Sequence, residues 1–522
     1  MAAKKKKRND EVGKKQSFPW SSSSSHNGAT TIATVLFSLL VRVLVSLGPY
    51  SGEGRPPMYG DYEAQRHWME ISLHLPAKEW YRNSTSNDLS YWGLDYPPLT
   101  AYQSLLHSLL LNSSLPASLR LSDSRGFESR ASKLAMRWTV LSSDLLIFFP
   151  AALYFVLSRR RRRQEEGQNN NGDDDDNWLL AAILFNPCHI LIDHGHFQYN
   201  CISLGFTLGA IAAVLSANEL VAALLFTLAI NHKQMSMYFA PAFFSHLLGK
   251  CLRRKHPIIE VMKLGFVVLA TLAIVWWPYL YSLEAIMEVL TRLAPFERGI
   301  YEDYVANFWC STSVLIKWKR LFSIKVLKSL SLLATVSTFL PSFIHQIKSP
   351  TDASFLYALL NSSFSFYLFS YQVHEKSILL PLLPASLLAQ QEPLLFGWFV
   401  YYALLSMFPL LSRDGLVLQY VALLPLFGLI FFSPVGRRNR REYNVSARTR
   451  ALMALPLSSS LVLHVMYLTL KPPVKYPFLF EALIVFLCFS QFVILTFYTN
   501  IKQWKLLEES CQPVTGGKKK DD

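Results

Sequence analysis

Four short clusters of charged and polar side chains interrupt otherwise apolar sequence in this chain. A charged side chain beside a membrane-spanning segment is costly and is therefore a candidate functional residue. Carboxylates in such a position can accept protons, and His, Lys and Arg can stabilise negative charge. The clusters are Asp61/Glu63/Arg66/His67, Asp193/His194/His196, Glu297/Arg298/Glu302/Asp303 and His374/Glu375/Lys376.

Each cluster also has a purely structural interpretation. Asp61 follows Gly60 and could cap a short helix. The segment HGHFQYN (194–200) could lie at headgroup depth as an aromatic belt, and its two histidines, spaced i and i+2, do not share a helical face, which argues against a metal site. Residues 297–303 and 374–376 could be exposed loops.

A polar stretch from Met58 to Tyr102 lies between apolar segments and is rich in Tyr and Trp. Long loops of this kind are usually functional or disordered, and the aromatic content argues against disorder. Its Asp95 precedes Tyr96-Pro97-Pro98, which predicts a rigid turn into a helix that begins near Leu99 and leaves a structural role open for Asp95. We interpret the stretch as one wall of an active site.

The composition identifies the class of protein that must position these clusters. Of 522 residues, 51% are hydrophobic, and they concentrate in long runs without the alternation of a β-barrel. This predicts an all-α polytopic membrane protein. The net charge of +15 comes from Lys and Arg in short segments between apolar runs, so nucleic-acid binding is not indicated. The six cysteines form no CxxC pair, which argues against a zinc site or a disulfide framework.

The apolar runs predict about fourteen membrane spans. They are 30–47, 139–157, 178–192, 201–216, 219–230, 235–249, 261–280, 327–344, 353–371, 377–389, 394–411, 416–433, 451–470 and 477–499. The first is interpreted as an uncleaved anchor, in which Arg42 is either a minor cost or a site residue.

Basic segments orient these spans. Residues 159–163, 250–256 and 437–441 are rich in Arg and Lys and predict the cytosolic side. An even number of spans then puts both termini in the cytosol and all four charged clusters on the lumenal face. Basic residues between 317 and 328 do not fit this count. Either their segment lies flat at the interface, or residues 305–316 span the membrane and another pair of runs merges.

The predicted domain organisation follows from this topology. Residues 1–29 form a disordered basic tail and residues 30–500 the membrane domain, followed by a tail, 501–522, whose Lys519 and Lys520 resemble a dilysine retrieval signal. Within the membrane domain we expect a first lumenal loop at 58–138, a cytosolic linker at 159–177 and a second lumenal loop at 282–312. Asn83-Ser84-Thr85 in the first loop is a glycosylation sequon.

Six motifs stand out between about Thr30 and Asn500. They are GDYEAQRHWMEI (60–71), WGLDYPPLTAY (92–102), HGHFQYN (194–200), NHKQMSMYFAP (231–241), PFERGIYEDYVANFWC (295–310) and VHEKSILLPLLP (373–384). In matching order, they resemble motifs of the endoplasmic reticulum glucosyltransferases that use dolichyl-phosphate glucose. Within two of them, LDYPPLTAY and GIYEDYVANFWC look like the α-1,3-glucosyltransferase type that adds the first glucose.

This resemblance implies a GT-C membrane fold with the active site on lumenal loops. It implies an inverting transfer of glucose from dolichyl-phosphate β-glucose to the terminal mannose of Man9GlcNAc2-PP-dolichol, with Asp61 as the general base. Phosphate leaves readily, so a second carboxylic acid is not required, in contrast to glycosidases. Neither a metal nor a cofactor is expected, and the partners are the two lipid-linked substrates in the endoplasmic reticulum membrane.

The resemblance also suggests roles for the other charged and polar residues. Arg298, His374 and Lys376 are expected to bind the donor phosphate. His196, Gln198 and Tyr199 are expected to orient sugar hydroxyls or phosphate. Acceptor-binding or supporting roles are expected for Asp95, Glu63, Glu302, Asp303 and Glu375.

Two other functions compete with this prediction. The sister enzyme that adds the second glucose shares HFQYN and VHEK. A flippase or transporter of lipid-linked sugars belongs to a different class, but it would need two aqueous faces and often has internal symmetry. The sequence shows no such symmetry, and its charged clusters are predicted to share one face.

Overall fold

The computed structural model describes residues 22–165, 173–294, 300, 304–432 and 446–511. This part of the chain is helical and contains no β-strand, only an isolated bridge between Ser84 and Asn87. Its α-helices up to residue 293 are Ser22–Ser46, Gly60–His74, Pro98–Asn112, Arg130–Ser143, Phe149–Glu165, Asp173–Leu184, Pro187–Ile190, Asn200–Leu215, Glu219–His232, Ala240–Cys251, Pro257–Trp276 and Leu283–Leu293.

Every predicted span coincides with one or more helices. After residue 304 the α-helices are Phe308–Thr312, Trp318–Leu321, Ile324–Lys348, Asp352–Phe369, Leu379–Leu387, Pro393–Ser406, Phe408–Arg413, Val417–Phe432, Ala447–Thr469 and Leu479–Cys511.

Six helices among the described residues are long and apolar enough to cross a membrane. The one at Pro257–Tyr279 exposes large apolar side chains such as Ile258, Phe266 and Ile274, as expected for a surface in contact with lipid. The chain is therefore a multi-pass membrane protein, and the count of about fourteen spans stays a prediction. The six are Gly28–Ser46, Arg130–Glu165, Pro257–Tyr279, Ile324–Lys348, Ala447–Thr469 and Leu479–Leu506.

The segment 305–316 does not contain a spanning helix. Its only helix, Phe308–Thr312, has five residues and is about 8 Å long, far short of a hydrocarbon core of roughly 30 Å. The alternative in which this segment crosses the membrane is therefore wrong. The basic residues that follow, Lys317, Lys319 and Arg320, are exposed.

Two π-helical segments interrupt the helices closest to the predicted site. Asp144–Phe148 lies inside the continuous helix Arg130–Glu165, and Leu191–Phe197 carries two of the predicted site histidines, His194 and His196. The extra residue in a π turn reorients side chains, and such segments are frequent at functional sites. The helix that contains the predicted span 139–157 starts at Arg130.

A buried ion network joins the first helix to both π segments. Arg42 is fully buried. Its Nε donates to Asp144 Oδ2 at 2.5 Å, and its Nη1 donates to Leu184 O at 2.9 Å. His194 Nε2 lies 2.8 Å from the same Asp144 oxygen. Because a buried charge must be paired, these contacts explain how an arginine is accommodated within the first predicted span. Arg42 and His194 are structural residues of the helix bundle.

The stretch from Met58 to Tyr102 is folded and has its own apolar core. Helix Gly60–His74 contributes Trp68 and Ile71, which pack with Tyr81 of the same stretch and with Tyr279 from the end of a spanning helix. The prediction that this stretch is ordered is thus confirmed. Pro98 begins the helix Pro98–Asn112, as the DYPP motif predicted.

We predict that Arg42→Met destabilises the protein by about 3–5 kcal/mol, because it leaves the carboxylate of Asp144 buried without its strongest partner. Thermal unfolding of the purified protein in detergent measures this loss. The double variant Arg42→Met/Asp144→Asn removes both charges and should recover a large part of the melting temperature. Equal melting temperatures for the wild type and Arg42→Met would contradict the structural role of the pair.

Candidate active site

Asp61 lies at the start of helix Gly60–His74, where backbone packing sets its position. Gly60 has a φ of +67°, and a Cβ atom there would lie 2.7 Å from Ser51 O. Only glycine combines this conformation with such a close approach. The Asp61 amide donates to Ser51 Oγ at 3.3 Å, and the Ser51 amide donates to His196 O at 2.9 Å. The loop after the first helix therefore holds Asp61 next to the segment that carries His196.

Three side chains from distant parts of the sequence converge on one oxygen of Asp61. His196 Nε2 lies 2.8 Å from Asp61 Oδ2, Gln198 Nε2 donates to it at 2.6 Å, and Lys376 Nζ also donates to it. The Asp61 side chain keeps 20% of its surface exposed. Among the described residues no donor contacts Oδ1, so that oxygen can accept a proton from a substrate. Asp61 is therefore the centre of a cluster and more than a helix cap.

The surroundings of Asp61 keep its carboxylate ionised. Burial by itself would raise the pKa of Asp61, but the charge of Lys376 and the hydrogen bond from His196 outweigh burial and hold this pKa well below its usual range. Burial lowers the pKa of Lys376, whereas the charge of Asp61 raises it, and the net shift is upward. At neutral pH the site thus contains a carboxylate ready to accept a proton and a lysine that is charged.

His196 is held on its other side by Asp414, a residue that sequence reasoning missed. Its Nδ1 forms a hydrogen bond with Asp414 Oδ2, and both side chains are buried. Burial and the charge of Lys376 lower the pKa of His196, but its bonds to Asp414 and Asp61 raise it by more. An isolated acidic residue between the apolar runs 394–411 and 416–433 was the signal that could have found Asp414.

Arg137 links the two segments on which Asp61 and His196 depend. Its Nη2 donates to Pro49 O at 2.9 Å and to Gly195 O at 2.8 Å. The guanidinium also lies 5.5 Å from the ring centroid of Phe197. Arg137 is thus a positioning residue, because it joins the loop after the first helix to the π segment that carries His196.

Lys233 is a second buried cation beside the site, and it too was missed. Its Nζ donates to Asn200 Oδ1 at 2.6 Å and to Gln198 Oε1 at 3.2 Å. Burial, with a smaller contribution from the charge of Lys376, lowers the pKa of Lys233 to about 8. Lys233 and Lys376 both line a narrow crevice together with Ser236. Two cations around a crevice favour a ligand that carries negative charge.

Tyr199 and Glu63 were also predicted as site residues, but both lie outside the cluster around Asp61. The hydroxyl of Tyr199 is buried and pairs with Thr139 Oγ1 at 2.6 Å, so it does not face Asp61. Glu63 forms a two-bond ion pair with Arg66, at 2.6 and 2.7 Å, and accepts from Tyr91. Glu63 therefore stabilises the folded loop and is not placed to contact a ligand at Asp61.

Asp95, His374 and Glu375 lie at the edge of the site. The charge of Asp95 acts on Lys233, and its carbonyl accepts from Gln234 at 3.0 Å. His374 is half-buried just before the 3₁₀ turn that carries Glu375 and Lys376. The predicted site residues Arg298, Glu302 and Asp303 lie outside the described residues.

The described residues contain no group of three or more His, Cys, Asp or Glu side chains that could hold a metal ion. The expectation that the reaction needs no metal or cofactor stays a prediction. The features described above are those of a multi-pass membrane protein with a site in which an ionised carboxylate lies close to two lysines. Such a site can accept a proton from a ligand and bind negative charge on it.

Comparison with known proteins identifies the family within this class. Residues 38–498 match the model of the ALG6, ALG8 glycosyltransferase family, and the chain belongs to this family. This confirms the resemblance seen in the sequence motifs.

Three relatives illustrate the similarity. The chain is 59% identical over 491 residues, 92% of this chain and 91% of the relative, to an Arabidopsis thaliana protein named "Probable dolichyl pyrophosphate Man9GlcNAc2 alpha-1,3-glucosyltransferase". It is 41% identical to the Saccharomyces cerevisiae protein that carries this name without "probable", over 88% of this chain and 89% of that one. A Gallus gallus relative with the same name as the yeast protein is 39% identical, over 90% of this chain and 95% of the relative.

We predict that Gly60→Ala lowers the melting temperature and the rate of glycosyl transfer, because the new methyl group meets the backbone of Ser51 and moves Asp61. Gly54→Ala is the matched control. Gly54 also has a positive φ, +66°, but a Cβ there meets no atom within 4 Å. The destabilisation of Gly60→Ala should exceed that of Gly54→Ala by about 1–3 kcal/mol. Equal effects of the two variants would contradict the close packing at Gly60.

We predict that Lys376→Met raises the pKa of Asp61, because the largest interaction that lowers this pKa is removed. Because the pKa of Asp61 is low in the wild-type enzyme, its rate should fall only at a pH well below the usual pKa range of a carboxyl group. In Lys376→Met the acid limb of the pH–rate profile should move to higher pH, in addition to any loss of rate. Profiles of kcat for both proteins check this, and an unshifted limb would contradict the assigned interaction.

Proposed function

We propose that this protein transfers glucose from dolichyl-phosphate glucose to the terminal mannose of Man9GlcNAc2-PP-dolichol and forms an α-1,3 linkage. The observation that carries the proposal is the ionised carboxylate of Asp61, held by three donors next to a crevice that Lys233 and Lys376 line. The names of relatives that match about nine-tenths of the chain support the acceptor and the linkage.

The stereochemistry requires a single displacement. The donor glucose is β-linked to phosphate and the product linkage is α, so the acceptor oxygen attacks the anomeric carbon from the face opposite the phosphate. As the new C–O bond forms, the hydroxyl proton becomes acidic and passes to Asp61. The bond between the anomeric carbon and the phosphate oxygen breaks, and its electron pair stays on the phosphate. One carboxylate is sufficient, since the leaving group needs no proton.

The lysines act on the leaving group. Negative charge grows on the phosphate as the bond breaks, and fixed cations in a site shielded from water stabilise that charge. Lys376 and Lys233 are placed for this role, and the charge of an arriving phosphate would raise the pKa of Lys233 above about 8. His374, just before Lys376, and Arg298 are proposed as further phosphate ligands. Gln198, which contacts both Asp61 and Lys233, is proposed to orient the transferred sugar.

We also propose a GT-C fold with about fourteen spans in the endoplasmic reticulum membrane, a lumenal active site and cytosolic termini. The meeting of Asp61, His196 and Lys376 supports this topology, because three of the four charged clusters predicted to share one face contribute to one site. No observation favours a second function. The relatives are not named for addition of the second glucose, and nothing indicates a transporter.

We predict that Asp61→Asn, which keeps the shape of the side chain but cannot accept the proton, lowers kcat by about 100-fold or more. The assay uses the purified protein in detergent with dolichyl-phosphate glucose and Man9GlcNAc2-PP-dolichol. Asp88→Asn is the control, because the side chain of Asp88, in the same loop, is 43% exposed and pairs with the surface groups Ser90 and Arg125. Its rate should equal that of the wild type.

Near-normal transfer by Asp61→Asn would overturn the proposed role of Asp61. Offering Glc1Man9GlcNAc2-PP-dolichol in the same assay tests the sister reaction, which would be the correct one if only that acceptor were used. A wild-type protein that transfers no glucose to either acceptor would refute the proposed function. Transfer in detergent, where no sealed compartment exists, would exclude a flippase as the source of the activity.

A further inference from the structure

A second cavity, of about 320 Å³, lies next to the site and is not used in the reaction described above. It is lined by helix Phe408–Arg413, by the C-terminal end of helix Ala447–Thr469 and by the start of helix Leu479–Cys511, together with Tyr304, Glu375 and Ser406. Its volume is at the lower end of the range for small-molecule sites, roughly 300–1,000 Å³. It therefore has room for a short piece of a larger ligand.

The wall of this cavity combines aromatic rings with charged groups. Tyr304 and Phe478 lie with their ring centroids 5.6 Å apart. Tyr467 lies beside Glu481, and Glu481 Oε2 is shielded from solvent and has no hydrogen-bond partner among the described residues. A buried carboxylate oxygen without a donor is unfavourable, so a ligand that donates a hydrogen bond there would be stabilised.

The charges indicate which chemical class the cavity accepts. Glu375 and Glu481 contribute two carboxylates, and Arg413 contributes one guanidinium, whose Nη2 lies 4.0 Å from Glu375 Oε1. The net negative charge disfavours a phosphate, and the charged groups disfavour a lipid chain. A neutral sugar is compatible with both the charged and the aromatic side chains of the cavity wall. Its hydroxyls can donate to carboxylates and accept from arginine, and its C–H faces can pack on aromatic rings.

Chain connectivity places the cavity beside the reacting groups. Arg413 directly precedes Asp414, which binds His196, and Glu375 directly precedes Lys376, which binds Asp61. Neighbouring Cα atoms are about 3.8 Å apart, so the cavity wall and the Asp61 cluster share two short stretches of backbone. A sugar in the cavity would belong to the same ligand as a hydroxyl that reaches Asp61.

We propose that this cavity binds sugar residues of the acceptor oligosaccharide that adjoin the mannose receiving glucose. The proposal rests on the proposed function and adds the location of its acceptor subsite. The donor phosphate then binds in the positive crevice at Lys233 and Lys376, and the acceptor sugars bind in the negative cavity at Glu375 and Glu481. Charge distinguishes the two substrates, because only the donor brings its phosphate to the reacting centre.

Variants of the cavity wall test this proposal. Glu481→Gln weakens the hydrogen-bond acceptor, Tyr467→Phe removes the hydroxyl beside it, and Phe478→Ala removes a ring that is 60% exposed and contributes little to folding. Each should raise the KM for Man9GlcNAc2-PP-dolichol by about three- to tenfold, as expected for one polar or packing contact. The KM for dolichyl-phosphate glucose should stay within about twofold of the wild-type value, a split that general unfolding would not produce.

A matched control lies farther along helix Leu479–Cys511, which also carries Glu481. Tyr498→Phe removes a tyrosine hydroxyl that donates to a glutamate, Glu392 Oε2 at 2.7 Å, and should leave both KM values unchanged. Direct binding of lipid-free Man9GlcNAc2 to the purified proteins gives a measurement that does not depend on catalysis. We expect the three cavity variants to bind it about three- to tenfold more weakly than the wild type and Tyr498→Phe do.

Two results would overturn the acceptor subsite. One is unchanged acceptor KM and glycan binding in all three cavity variants, and the other is an increase in the KM of the donor instead. Failure of the proposed function is recognised separately, as an absence of glucose transfer by the wild type. Weaker binding of lipid-free Man9GlcNAc2 by the variants would still support a sugar-binding cavity in that case.

Discussion

The negative charge of Asp61, surrounded by His196, Gln198 and Lys376, is the interaction on which the rest of the site depends. A carboxylate this well hydrogen-bonded stays ionised, and its negative charge raises the pKa of Lys376 and contributes to raising that of His196. The four side chains form one hydrogen-bonded unit. Such a unit requires that three separate parts of the chain be held close together, and much of the surrounding structure provides this constraint.

The supporting contacts are largely made by the backbone or by buried ions. Glycine at position 60 lets two backbone segments touch, and Arg137 binds carbonyls on both sides of the contact. Farther from the site, Arg42 and Asp144 pair inside the helix bundle. Charges in such positions are costly when alone, so each pair restricts the helices to the arrangement in which both partners are satisfied. Packing between apolar helices is only weakly directional, so these buried pairs fix the position of the polar site within the bundle.

Charge also distinguishes the crevice from the cavity. Lys233 and Lys376 make the crevice positive, whereas the cavity with Glu375 and Glu481 is negative overall. The phosphate of the donor is thus favoured in the crevice and the neutral acceptor glycan in the cavity, and Asp61 is the base for both. Asp414 and Lys376 belong to the site through His196 and Asp61, and their chain neighbours Arg413 and Glu375 form part of the cavity wall. The two ligand regions are therefore joined by two short stretches of backbone.

The sequence by itself determined the class, the helical runs and the central residues. Long apolar runs leave the backbone no alternative to helices in a membrane, and charged residues beside them stand out because their presence is costly. Asp61, His196, Gln198 and Lys376 were found in this way and through the motifs. Only the tertiary structure decided which charges meet. Glu63 and Arg42 carry the same local signal as Asp61, yet they pair in separate networks, whereas Lys233 and Asp414, each in a short polar segment between apolar runs, join the site. Contacts between residues more than a hundred positions apart depend on helix packing, for which local sequence patterns carry no information.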